Sequence, residues 1–305
     1  MQPTTTDTDR ITARLLTDPS CPYAYSINPA LRTLEWRYRD QIEWSLVTIG
    51  LSETGRPSQT VPWDLRAGFL AEQRDRHGMP FTVEEKARPT TSSRACKAII
   101  AARLIQPGSE WRVLRALQLM EFNTPILLDE DDHLLAALES VEGLDPLRVV
   151  LAIDTPEVQD AYDADRAESR GAAGGPAQMQ LRTVESPEGI RYTAPSVIFS
   201  RGDRRFEIGG FQPVEAYDVA IANLDPGLNR TGPPAGPLEV LRLYPGGLVT
   251  QEVAAIMAHH LDRPARKETE SLLLDLVAQG KARRIPLGND AIWLATRLEQ
   301  GRRAE

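Results

Sequence analysis

The sequence has few cysteines: Cys21 and Cys96 are the only two among 305 residues. Two cysteines make no disulfide framework, and in a reducing compartment both are expected to be thiols. The sequence also lacks any apolar run near the ~20 residues that a membrane-spanning helix needs. Its first ten residues, MQPTTTDTDR, contain neither the basic nor the apolar region of a secretory leader. These absences predict a cytoplasmic protein without a membrane partner.

An excess of positive charge is also absent. The net charge is −8 at pH 7, which argues against a dominant nucleic-acid-binding surface but not against a local basic patch. Hydrophobic residues make up 41% and charged residues 26%, as in an ordinary globular protein. At ~150 residues per domain, the length predicts two units.

Metal and phosphate motifs are missing as well. The histidines show no ligand spacing with each other or with the cysteines: His77, His133, His259 and His260. The acidic residues 129–132 lack the glycine and spaced ligands of a calcium loop. The glycine-rich residues 171–175 are not followed by the Lys-Ser/Thr of a phosphate loop. We therefore predict no metal and no tightly bound cofactor.

What is present is a strand–helix–strand start, a long helical block and a later strand pair. The hydrophobic periods predict strands at 10–17, 41–51, 192–200 and 204–210, and helices at 22–38, 92–105, 110–123, 129–145, 156–172 and 212–224. Pro29 should kink the first helix or mark a boundary in it. Residues 174–191 are predicted as a loop with some strand character.

The clearest linker is the Pro- and Gly-rich stretch 225–237. It divides the chain into a flexible amino terminus (1–9), a first domain (10–224) with a helical insertion at about 65–172, and a second unit (238–305). The second unit shows three helical patterns and then two short strands that turn at residues 288–290. The overall prediction is an α/β fold with a small α+β domain after it.

The stretch DPSCPYAYS, residues 18–26, places Cys21 where a strand gives way to a helix. At a helix amino terminus, unpaired N–H groups and the helix dipole favour the thiolate, so the pKa of such a cysteine can fall well below ~8.5. A buried structural cysteine is the alternative interpretation. The local sequence leaves both open.

Cys21-Pro22-Tyr23-Ala24 after a strand, the helical insertion and the later TAPSVIF resemble the DsbA family of thioredoxin-fold proteins over about residues 10–224. The resemblance is closest to the branch with an all-helical insertion that includes FrnE-like dithiol-disulfide isomerases. It implies a thioredoxin fold with Cys21 as the catalytic thiol. It also implies that Pro195, in the loop Thr193-Ala194-Pro195, forms a cis peptide bond facing the thiol.

The family motif is Cys-Pro-x-Cys, and Ala24 stands where its second cysteine belongs. One interpretation is a monothiol oxidoreductase or isomerase that acts on a disulfide-containing protein or small thiol, with a thiol such as glutathione or mycothiol as co-substrate. CPYAY also resembles the SPYAY of kappa-class glutathione transferases and 2-hydroxychromene-2-carboxylate isomerases, which implies a different enzyme. The third interpretation is a redox-silent or redox-sensing adaptor. Cys96 is a candidate second thiol.

Residues 238–305 resemble winged helix-turn-helix domains. In DNA-binding members, basic residues of the recognition helix and the wing contact the nucleic acid. Arg266, Lys267, Arg283 and Arg284 are the matching candidates, although acidic residues share the same helix. Such domains also dimerise or bind other proteins. The resemblance therefore implies a DNA contact, a homodimer or a protein partner for this unit.

Overall fold

A computed structural model describes residues 10–53 and 61–296. The predicted flexible segment 1–9 and the last nine residues of the second unit lie outside the described residues. The strands are β1 Ile11–Thr17, β2 Ile42–Thr48, β3 Thr183–Ser186, β4 Gly189–Tyr192, β5 Ser196–Arg201, β6 Arg204–Gly209, β7 Leu248–Val249, β8 Ala282–Leu287 and β9 Asp290–Ala295. The helices are α1 Pro22–Ser26, α2 Asn28–Tyr38, α3 Trp63–His77, α4 Ser93–Ile105, α5 Glu110–Asn123, α6 Asp131–Leu138, α7 Pro146–Ala152, α8 Pro156–Ser169, α9 Pro176–Met179, α10 Val214–Leu224, α11 Pro237–Leu243, α12 Thr250–Met257 and α13 Arg266–Ala278.

The central sheet has the strand order β2-β1-β5-β6. β1 and β2 run parallel, with Leu15 opposite Leu46, whereas β5 runs antiparallel to β1 and β6 antiparallel to β5. Helices α2 and α10 pack together, α10 contacts β5 and β6, and α8 contacts β2. The four strands predicted from hydrophobic alternation are therefore confirmed, and the end of β1 meets the start of α1 beside β5.

The first predicted helix is divided as Pro29 indicated. α1 ends at Ser26 and α2 begins at Asn28, so the proline occupies the first turn of α2. A proline is tolerated there because the first N–H groups of a helix have no intrahelical acceptor. The break leaves α1 as a separate short helix that begins directly after Cys21.

The predicted helix 129–145 is wrong in extent. α6 ends at Leu138, and a second helix, α7, begins at Pro146. Gly143, with φ +76°, adopts a left-handed conformation between them, and the Asp145 side chain accepts a hydrogen bond from the Arg148 N–H at 3.1 Å. A positive φ ends a helix, and a capped proline starts the next one.

Residues 174–191 are more ordered than predicted. They contain the short helix α9 and the antiparallel hairpin β3–β4, with Thr183 opposite Tyr192. The prediction of strand character is right, but the helix was missed because four residues show no helical period.

The C-terminal segment contains α11, β7, α12, α13 and a sheet of order β7-β9-β8. Its core surrounds Trp293, which is fully buried with Leu248, Val253 and Leu273. Its second helix, α12, ends at Met257, and the Ala258 N–H donates to the Ala254 carbonyl at 3.1 Å. The interpretation as a winged helix-turn-helix stays a prediction.

This segment packs against the first domain. Arg115 on α5 forms a salt bridge with the fully buried Glu252 of α12, with an N–O distance of 2.6 Å. Trp36 of α2 belongs to the same hydrophobic cluster as Trp293, and its indole N–H donates to the Gly232 carbonyl at 2.8 Å. The stretch 225–237 is therefore held against α2.

Among residues 10–53 and 61–296, none of the helices combines the length and the apolar character needed to cross a bilayer.

Candidate active site

Cys21 is the N-cap residue of α1. Its carbonyl accepts a hydrogen bond from the Tyr25 N–H at 3.0 Å, and its own N–H donates to the Asp18 carbonyl at 3.2 Å. Pro22 follows at the first helical position. These contacts fix the thiol at the junction of β1 and α1, where only 6% of the residue is exposed.

A loop from the other half of the domain faces this thiol. The Ala194–Pro195 peptide bond is cis, and the Cys21 Sγ–H donates to the Ala194 carbonyl oxygen at 3.3 Å. Pro195 is buried, whereas Thr193 and Ala194 are half-buried. The structure therefore brings together the cysteine and the proline loop, although they are far apart in sequence.

The other motif residues are placed differently. Ala24 is buried, and its carbonyl accepts from the Gln118 side-chain amide at 3.3 Å. Tyr23 is 38% exposed, and its ring packs edge-on against Phe69 and His77. Aromatic side chains thus lie beside the motif. At position 24, where the family has its second cysteine, this chain has only the methyl group of an alanine.

Of the two interpretations that the local sequence left open for Cys21, the burial of its thiol favours the unactivated cysteine. Burial raises the pKa of its thiol to about 12, and the nearby charge of Asp18 also raises it. The helix N–H groups of Ala24 and Tyr23 lower the pKa, as does the charge of Arg191, but burial outweighs them. The free-energy penalty of removing the thiolate from water is larger than the stabilisation that the helix amino terminus gives it.

Asp18 is a site residue that the sequence reasoning missed. The carboxylate is fully buried and accepts hydrogen bonds from the Ser20 N–H at 2.9 Å, the Leu51 N–H at 2.8 Å and the Ser92 hydroxyl at 2.7 Å. Burial raises its pKa, while these hydrogen bonds lower it. The available signal was an acidic residue directly before the Pro19 turn, three positions ahead of Cys21.

Cys96 lies on α4 and is fully buried. Its Sγ is 3.6 Å from the Asp18 Oδ2, to which it donates, and burial raises the pKa of this thiol as well. Both cysteines are free thiols. Asp18 therefore contacts both cysteines, through its carbonyl at Cys21 and through its side chain at Cys96.

Arg191 is a second residue that was missed. It lies on β4, three residues before Ala194, and its guanidinium donates to the Tyr192 carbonyl at 2.9 Å. Burial lowers the pKa of this half-buried arginine, whereas the acidic Asp18 and Cys21 raise it. Its positive charge is therefore part of the electrostatic environment of the thiol.

Within the described ranges, no group of three or more His, Cys, Asp or Glu side chains is arranged to hold a metal ion. His77 packs against Phe211 with ring centroids 4.4 Å apart, and burial lowers its pKa.

Two of the basic candidates of the second unit have partners within the chain. Arg266 forms a salt bridge with Asp290 at 3.1 Å, and Arg284 lies over the Trp293 ring at 5.8 Å. Lys267, Arg283 and Arg284 are exposed, whereas Arg266 is half-buried. A contact with DNA stays a prediction for all four.

No protein-family model matches the sequence, and no curated protein matches it. Solved structures do resemble the fold. A Nitrosomonas europaea protein assigned as a protein disulfide isomerase has a TM-score of 0.55 and 16% identity, over 70% of this chain and 97% of that chain. A probable DsbA oxidoreductase from Streptomyces coelicolor has a TM-score of 0.53 and 15% identity, over 72% and 91%. The cytosolic disulfide reductase DsbM from Pseudomonas aeruginosa, with GSH, has a TM-score of 0.50 and 17% identity, over 70% and 98%.

These similarities define the class of structure: the chain has the α/β, DsbA-like thioredoxin fold that the CPYA and TAPSVIF motifs predicted. Identities this low show the fold alone, so the reaction must be argued from the site.

Proposed function

We propose that the protein is a cytoplasmic thiol-disulfide oxidoreductase or isomerase that acts through the single thiol of Cys21. The observation that carries the proposal is the 3.3 Å contact between this thiol and Ala194, in the loop that precedes β5. Structures of the same fold that are named for disulfide chemistry support the same class.

The reaction is an exchange in two steps. The Cys21 thiolate attacks a substrate disulfide R–S–S–R′, a Cys21–S–S–R mixed disulfide forms, and R′–S⁻ leaves and takes up a proton. Because Ala24 supplies no second thiol, an external thiol R″–SH resolves the intermediate. As its thiolate, it forms R–S–S–R″ and returns Cys21. Glutathione and mycothiol have the required chemistry.

The raised pKa of Cys21 limits the rate of this exchange. At neutral pH, Cys21 rests as a thiol because burial raises its pKa to about 12. Deprotonation then limits the attack, and a sulfur of high pKa leaves slowly from a mixed disulfide. The proposed catalyst is therefore slow at pH 7, and its mixed disulfide is long-lived.

The loop offers a backbone contact to the substrate. In the part of the chain that the structure describes, the Ala194 N–H donates to no other group, and the residue is half-buried. A carbonyl of a substrate chain can accept this hydrogen bond while its disulfide lies at Cys21.

The test is insulin reduction with glutathione as the reducing thiol, comparing the wild type with Cys21→Ser and the matched variant Cys96→Ser. We expect turnover to be lost in Cys21→Ser and kept in Cys96→Ser. Full turnover in Cys21→Ser would contradict the proposal. Equal loss in both variants would assign a redox role to Cys96.

A second candidate is a binding or adaptor module in which Cys21 does no chemistry. The burial and raised pKa of the thiol favour it. Wild-type protein that shows no exchange above the Cys21→Ser background, even at pH 9, would support this alternative. The transferase-like or isomerase-like alternative rests on the CPYAY motif and stays a prediction, as do the homodimer and the DNA contact.

A further inference from the structure

A cavity of ≈ 500 Å³ lies between the first domain and the C-terminal segment. Its walls come mainly from α2, the end of α3, residues 211–215 and residues 251–264. Cys21 and Pro195 are not among the described residues that line it, so the thiol lies outside its wall. Small molecules commonly bind in cavities of about 300–1,000 Å³ where two domains meet. We call this space the interdomain cavity.

The interdomain cavity is bounded by contacts between the two parts of the chain. Gly78 ends α3 with φ +75°, and a Cβ atom at this position would collide with the Gln251 side chain of α12. The Phe81 N–H, three residues further on, donates to the Asn289 side-chain oxygen at 3.3 Å. The end of α3 and the C-terminal segment are therefore in direct contact beside the cavity.

Part of the lining is aromatic and apolar. The His77 and Phe211 rings pack with their centroids 4.4 Å apart. Ala30, Val214 and Ala255 also line the cavity and are half-buried, so part of their apolar surface is open to a ligand. The His77 Nε2 is buried and has no hydrogen-bond partner among the described residues. Because buried polar atoms normally have a partner, the wall is incomplete without one.

The rim of the cavity includes a strained residue. Leu261, which lines the cavity, is 73% exposed, and its φ of +69° lies in the left-handed region that a leucine rarely adopts. The turn around it is closed by the Asp262 N–H, which donates to the His259 carbonyl at 3.1 Å. Strain of this kind is common at ligand-binding sites, where the surrounding structure holds it in place.

The charged lining is more basic than the protein as a whole. It holds three arginines and two carboxylates, whereas the net charge of the chain is −8. One of the arginines, Arg37, pairs with the buried Asp218, which Arg230 also contacts at 2.7 Å. Burial lowers the pKa of Arg37, while the charges of Asp218 and Glu215 raise it. In this group, two arginines therefore face two carboxylates and their charges balance.

Arg76 and Arg263 are the other two arginines of the lining. Both are exposed, and within residues 10–53 and 61–296 neither forms a salt bridge. Asp262 is the one carboxylate of the described lining that is left to balance them. This side of the cavity therefore has an excess of positive charge, which favours a negatively charged ligand group.

We propose that the interdomain cavity binds a small aromatic anion, with one or two rings and a single carboxylate or sulfonate. The rings contact Phe211 and the half-buried apolar groups, and the anionic group faces Arg76 and Arg263. A cation is repelled there, and an uncharged aromatic molecule leaves both arginines unpaired. The inference goes beyond the proposed function and does not depend on it, because the Cys21 thiol takes no part.

The test is a fluorescence titration with anilinonaphthalene sulfonate, an aromatic anion, and with its uncharged analogue N-phenylnaphthylamine. We expect a single saturable site for the anion. Arg76→Gln/Arg263→Gln should weaken its binding about tenfold, the order of effect of losing a charge-assisted hydrogen bond, and leave binding of the analogue unchanged. Arg148→Gln/Arg283→Gln is the matched control, because both arginines are exposed and lie outside the described lining.

Filling the cavity provides a second readout. Ala255→Phe places a ring in this space from α12, and Ala258→Phe does so from the residue after that helix. Both variants should lose the binding of both probes, and urea titrations show which of them keeps the wild-type stability. Ala278→Phe, at an exposed position on α13, is the matched control and should bind both probes as the wild type does.

Cys21→Ser protein should bind the anion with the wild-type affinity. Weaker binding in this variant would place the probe at the thiol and overturn the proposal. Absence of saturable binding, unchanged binding in a stable filled variant, or an arginine variant that affects both probes equally would also overturn it.

Discussion

The Cys21 Sγ lies 3.3 Å from the carbonyl oxygen of Ala194 and donates its proton to it. This hydrogen bond requires the thiol, because a thiolate has no proton to give. The contact with Ala194 and the burial of Cys21 therefore both favour the thiol over the thiolate. Both effects must be overcome before the sulfur attacks a disulfide.

The first prediction concerns the alkylation of Cys21 by iodoacetamide. Because the pKa is raised to about 12, the rate constant should rise about tenfold per pH unit from pH 7 to pH 10 without a plateau. The modified peptide is quantified by mass spectrometry, with Cys21→Ser protein to report any reaction at Cys96. An inflection below pH 8.5 would show that the thiol is activated after all.

The second prediction concerns Asp18→Asn. The negative charge of Asp18 contributes to the raised pKa of Cys21, so its removal should lower that pKa and speed alkylation at pH 8 about threefold to tenfold. Asp154→Asn is the control, since that carboxylate is 69% exposed and pairs with Arg94. An unchanged or slower rate in Asp18→Asn would contradict the electrostatic account.

Arg191→Gln provides the opposite test. The arginine charge lowers the pKa of Cys21, so its loss should raise the pKa further and slow alkylation at pH 8 by about threefold. Arg148→Gln, an exposed position on α7, should leave the rate unchanged. Faster alkylation in Arg191→Gln would mean that the side chain mainly shields the sulfur from the reagent.

The fourth prediction concerns the contact between the first domain and the C-terminal segment. Arg115→Ala leaves the fully buried Glu252 without its partner, and we expect the free energy of unfolding to fall by about 3–5 kcal/mol in urea titrations. The double variant Arg115→Met/Glu252→Gln should recover most of this loss, because it leaves no buried charge.

Arg94→Ala is the comparison for that series. Its partner Asp131 is 49% exposed, so the loss should stay within about 1 kcal/mol. An equally small effect of Arg115→Ala would show that the C-terminal segment does not depend on this pair for its attachment.

Much of the architecture was predictable from local pattern. The strands of the central sheet carry a period of two or a continuous apolar run, and Pro29 separates α1 from α2. The boundary between α6 and α7 was not predicted, because Gly143 and Pro146 interrupt a pattern that is otherwise helical. The hairpin β3–β4 and the turn at Leu181 depend on contacts with Glu207 and Thr193, which no local period reveals.

The sequence by itself determined that Cys21 follows a strand, directly precedes a helix and has Ala24 in place of a partner thiol. Only the tertiary structure decided whether the pKa of Cys21 is raised or lowered from its ordinary value. A helix terminus acts through neighbouring residues and can be recognised locally, whereas burial is produced by segments distant in sequence. Those segments also bring Arg191 and Ala194 beside the sulfur. Burial and the charge of the neighbouring Asp18 raise the pKa of Cys21 more than the charge of Arg191 lowers it, so the thiol stays protonated at neutral pH.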